Sequence, residues 1–135
     1  MTTATTDLTT PATGRLLRTS LVLDGVATGL TGVLLAALSG VLDTVLGPSA
    51  AFVLGVGLFF LAYGATVLAI GTRRTINRGA AGAVAGANLL WTVVSVIVVI
   101  AGMLSLTTLG VVTALALAVV TTVFAELQIT GLRRS

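Results

Sequence analysis

"GTRRTINRGAAGAVAGANLLW", residues 71–91, sets three arginines in the middle of a chain that otherwise avoids charge. No charged residue occurs from Thr44 to Thr72, and none from Gly79 to Ala125. Arg73, Arg74 and Arg78 therefore divide two long apolar runs. Charge is costly in hydrocarbon and free in water, so this division reports where the chain is wet and where it is not.

The whole composition says the same. Of 135 residues, 56% are hydrophobic and 8% charged, and the mean hydropathy is +1.16. Soluble domains carry roughly 25% charged residues because their surfaces face water. Most of this surface must face lipid. Glycine occurs 16 times, above the roughly 7% average, which suits membrane helices whose backbones come close together. The formal charge is +3, but the seven basic residues are all arginines in three short clusters at the ends of apolar runs. A nucleic-acid surface needs a broad basic face with interleaved aromatics, and aromatics are only 4%. Nucleic acid is therefore not an expected partner; the bilayer is. Cysteine and histidine are both absent, which removes disulfides, thiolate chemistry, histidine-bound metals and the usual general base.

The apolar runs set the number of crossings. As one helix, Gly79–Ala125 would be roughly 70 Å long at about 1.5 Å per residue, against a hydrocarbon core of about 30 Å. The run must turn once, and "GMLSLTTLG" (102–110) is the place for it. In the earlier run Gly47 and Pro48 break any helix. Four spans are expected, over about 20–42, 50–71, 80–103 and 109–129, giving an all-α, up-down four-helix transmembrane bundle. Period-2 alternation for a barrel is missing. Residues 1–13, with seven threonines, read as a disordered cytosolic tail that with its arginine flank reaches residue 18. The helical domain then covers 19–135.

With four crossings, Arg15 and Arg18, then Arg73, Arg74 and Arg78, then Arg133 and Arg134, all fall on one side. The positive-inside rule puts that side, and both termini, in the cytoplasm, and the protein in the cell membrane. A faint echo supports two similar hairpins: "IGTRR" closes the second span and "TGLRR" the fourth.

Intramembrane polar groups are the candidate functional residues. Asp24 lies six residues after Arg18 and Glu126 seven before Arg133, which puts both about 10 Å inward at one level. In an up-down bundle the first and last helices are neighbours. The two acids could then share a proton, as a carrier requires; the competing reading has the flanking arginines neutralise them near the headgroups. Tyr63 and Asn88 form a second, deeper level. Asn88, Trp91, Thr92 and Ser95 make a polar stripe on one helix face, fit for interhelical hydrogen bonds or a pocket. Small-residue ridges at Gly25, Gly29, Gly32 and at Gly82, Gly86 allow close helix packing. The second ridge lies nearly opposite Asn88, so both faces look protein-facing. A homodimer or a partner membrane subunit is expected.

With "LDGVATG", "GANLLW" and "FAELQITGLRR" in place, residues 15–134 resemble a group of small four-span integral membrane proteins from actinobacteria. The span count and arginine pattern are also similar to DoxX-like proteins. The resemblance implies signature positions at Asp24, Thr28, Gly29, Asn88, Trp91, Gln128, Gly131, Arg133 and Arg134, and no activity. No cofactor or metal site is expected, and no nucleophile–base pair or phosphate loop marks an enzyme. The expected function is a non-catalytic structural or accessory membrane subunit. The alternative is a small proton-coupled transporter or channel using Asp24 and Glu126.

Overall fold

The computed structural model describes residues 2–134, with side chains from Gly14 onward. Five helices follow in order: α1 (Thr2–Ala37), α2 (Ser39–Leu46), α3 (Ala50–Thr72), α4 (Arg78–Ala101) and α5 (Thr108–Arg134). Four are long and apolar enough to cross a membrane: α1 from Gly14 (24 residues), α3 (23), α4 (24) and α5 (27). The fold is an all-α bundle of four spans. The expected disorder of the threonine-rich tail concerns residues whose side chains lie outside the described set; only their helical backbone, as the start of α1, is given.

The first span departs from the expected 20–42. It ends at Ala37, and the chain restarts as the short α2. Ser39 and Gly40 meet there, a pairing that breaks helices, and the Ser39 hydroxyl turns back onto the Ala36 carbonyl at 3.1 Å. The loop between the first two spans thus contains a helix of its own. The fourth span runs on to Arg134 rather than stopping near 129.

The other boundaries follow local chemistry. Ser49 caps α3 by accepting from Phe52 N–H at 3.2 Å, and Asn77 caps α4 through Ala80 N–H at 3.0 Å. Each takes up one of the orphan donors of a helix start. Gly102 ends α4 in the left-handed conformation, φ 65°, while Met103 N–H returns to Val98 C=O, as a Schellman stop requires. Thr107 joins the turn to the end of α2 by donating to Val45 and Leu46 carbonyls through its hydroxyl and backbone N–H.

Around the bundle α1 sits between α3 and α5, and α4 packs on α5, whereas α3 and α4 touch only sparingly. Glycine makes the first of these contacts close. A Cβ on Gly64 would lie 2.5 Å from Gly29 N, and one on Gly32 would lie 2.5 Å from Leu61 N. The two backbones are therefore in direct contact. Gly57, Gly64 and Gly71, one heptad apart on α3, are all buried on this face. Aromatic rings do the reverse between α3 and α4: Phe60 meets Trp91 edge-on, centroids 4.9 Å apart, and holds the helices off one another.

The distribution of polarity is inverted relative to a soluble domain. Asp24, Asn88, Gln128 and Ser20 are buried, while Leu30, Leu90, Val119 and Ile100 are more than 60% exposed. Such an exterior suits hydrocarbon as solvent.

Candidate functional site

Asp24 on α1 is 1% exposed and is the centre of the site. Its Oδ2 accepts from Asn88 Nδ2 and from Gln128 Nε2, both at 2.8 Å. Its Oδ1 accepts from Thr28 Oγ1 at 3.0 Å. Asn88 Nδ2 also reaches Gln128 Oε1 at 3.2 Å, and the Tyr63 hydroxyl lies 3.2 Å from Val84 C=O and 3.3 Å from Asn88 Oδ1. Side chains from all four spans therefore converge: Thr28, Asn88 and Gln128 directly on one carboxylate, and Tyr63 on its amide partner. Charge-assisted bonds of this kind are shorter and stronger than neutral ones.

Three expectations are corrected here. Asp24 and Glu126 do not form a pair: Glu126 is exposed, and it is Gln128, two residues and about 200° further round the helix, that faces Asp24. Nor are Asp24 and Asn88 on separate levels. Counting residues from the nearest arginine assumes that every arginine marks the same depth, yet the 2.8 Å Asn88–Asp24 bond brings the two side chains to one level. The arginines also do not neutralise Asp24. Arg18 donates to the carbonyls of Gly71 and Arg73 at 2.7 Å and of Arg74 at 3.1 Å. It satisfies the end of α3, where a cation is favoured by the helix dipole. Arg78 donates to Leu132 C=O at 2.8 Å, tying α4 to the end of α5.

The expected stripe on α4 fans out to different neighbours. Asn88 goes to Asp24. Thr92 sets its hydroxyl 2.7 Å from that of Thr121 and 3.1 Å from that of Thr122 on α5. Trp91 meets Phe59 and Phe60, and Ser95 borders a cavity toward α2. Of the expected small-residue ridges, Gly25 and Gly32 are pressed against α3, but a Cβ on Gly29 would meet nothing within 4 Å. Gly82 would meet only Leu132 at 4.0 Å, and Gly86 nothing, so the α4 ridge faces outward. Arg15, Arg73, Arg74, Arg133 and Arg134 are exposed at the same end of the bundle.

Sequence reasoning from the residues alone passed over Gln128 and Thr28, which enter only among the signature positions of the resemblance. A usable signal existed: Thr28 is four residues after Asp24 and so on the same helix face. Gln128 is an uncharged amide within an apolar span, where a partner is required. The echo "IGTRR"/"TGLRR" also acquires a physical meaning. A Cβ on Gly71 would lie 2.9 Å from Leu21 Cβ, and one on Gly131 would lie 2.9 Å from Leu17 Cα. Both glycines admit the end of a helix against α1, one turn apart.

Compared with family models, with curated proteins and with solved structures, this chain matches none.

Proposed function

We propose that this chain is a structural or accessory subunit of the cytoplasmic membrane, without chemistry of its own. One observation carries the reading: both carboxylate oxygens of Asp24 are occupied by donors from α1, α4 and α5. A polar group committed in this way joins helices where lipid supplies no hydrophobic drive, each such bond contributing about 0.6–2 kcal/mol. The gathering of arginines at one end supports cytoplasmic termini. The outward-facing Gly82 and Gly86 offer a surface for close approach by a second copy of this chain.

The test is purified protein in liposomes under a proton gradient, read with an entrapped pH dye. The expected result is no flux above empty vesicles for the native chain. A flux abolished by Asp24→Asn in a folded variant overturns the reading. It would favour the second reading, a carrier built on Asp24, which has the burial of this carboxylate in its support. The partner surface is tested separately by Gly86→Cys. The chain has no native cysteine, so a disulfide-linked dimer formed in membranes reports that face alone, and a monomer under oxidation removes it.

A further inference from the structure

A groove of about 350 Å³ runs along the outer face of the bundle between α4 and α5. Gly82, Gly86 and Leu89 border it on α4, and Ile129 on α5. Its bed is low because side chains are missing there. A Cβ on Gly86 would meet nothing within 4 Å, and one on Gly82 only the tip of Leu132 at 4.0 Å.

Two cations stand at one end of it. Arg78 and Arg133 both border the groove. Arg78 reaches across from α4 to donate to Leu132 C=O on α5 at 2.8 Å, which sets a guanidinium over the mouth between the two helices. The nearest acidic side chain on α5, Glu126, is about 10 Å along the helix from Arg133. The mouth therefore carries positive charge, and the bed beyond it is apolar.

The length of the groove fits half a bilayer. From Arg78 to Leu89 the helix rises about 16 Å, against a hydrocarbon core of about 30 Å. A cationic mouth at headgroup level and an apolar bed one leaflet deep match the two parts of a phospholipid. A second copy of this chain on the same face would press the arginine pairs of both chains together at one end. An anionic headgroup there meets opposite charge instead, and basic pockets between membrane helices select such headgroups. We propose that the groove holds one anionic phospholipid, its phosphate against Arg78 and Arg133 and an acyl chain along Gly82 and Gly86.

The experiment is native mass spectrometry of the full chain in detergent, titrated with phosphatidylglycerol and with phosphatidylcholine of identical acyl chains. One phosphatidylglycerol is expected to bind about twenty-five-fold more tightly than phosphatidylcholine, each arginine supplying about fivefold. Arg133→Gln should cost about fivefold of that preference. Arg15→Gln, on an exposed side chain that does not border the groove, should leave it unchanged. Gly86→Leu fills the open bed and should release lipid of either kind from a protein of unchanged helicity. Glycerol phosphate, a headgroup without chains, should not displace the lipid at equal concentration. Equal affinity for the two lipids overturns the proposal, as do equal losses in the two arginine variants, lipid retained by Gly86→Leu, or displacement by glycerol phosphate. A disulfide-linked Gly86→Cys dimer in phosphatidylglycerol membranes also overturns it, since a second chain would then fill the groove. None of these outcomes bears on proton flux, so the site stands or falls apart from the function proposed above.

Discussion

Asp24 can be replaced in two ways that the geometry separates. In Asp24→Asn the remaining oxygen still accepts from Asn88 and Gln128, and the new amide donates to Thr28, whose hydroxyl can rotate. The expected loss of stability is below about 1 kcal/mol. In Asp24→Leu two buried amide groups lose their acceptor, and the loss rises to about 3 kcal/mol. Denaturation in detergent followed by circular dichroism distinguishes the two, and equal losses would show that charge rather than hydrogen bonding matters. The importance of Asp24 was legible from its place in an apolar span. Its partners were less so. Glu126 drew attention because it is charged, whereas Gln128, which faces the core, carries no charge. Depth counted from arginines also misled, because it set Asp24 and Asn88 on separate levels although their side chains bond directly.

At the level of helices, the span count followed from the arginines and the uncharged runs alone, since charge sorts to water. The α1–α3 contact did not. α3 is apolar on every side, so its buried face has no polar contrast to reveal it, and only the heptad spacing of Gly57, Gly64 and Gly71 marks it. That contact should be intolerant of a single methyl group. Gly64→Ala and Gly32→Ala are expected to lower stability by about 1–3 kcal/mol, because the added carbon would meet backbone at 2.5 Å. Gly29→Ala and Gly86→Ala, with open space at the same position, should lie within about 0.5 kcal/mol of the parent. Thermal denaturation of the four variants side by side provides the check. Arg18→Ala should also destabilise, by about 1–3 kcal/mol, since three carbonyls at the end of α3 lose a charged donor. Arg15→Ala, on an exposed side chain, should not.

For the whole molecule, the threading is tested with single cysteines in intact cells. Ile76→Cys is expected to resist an impermeant external thiol reagent, and Ser105→Cys to react; the opposite pattern inverts the topology. The connectivity of contacts has a further consequence. α1 and α3 form one tightly packed hairpin, α4 and α5 another, and the seam between α3 and α4 is thin. Asp24 belongs to the first hairpin, while Asn88 and Gln128 belong to the second. Severed within residues 73–77 and co-expressed, the two fragments should therefore recombine in the bilayer into one complex, and should fail to do so when Asp24 is leucine. During biogenesis two hairpins would then be inserted in turn, and the Asp24 carboxylate would be the polar centre of the surface through which they recognise each other in lipid.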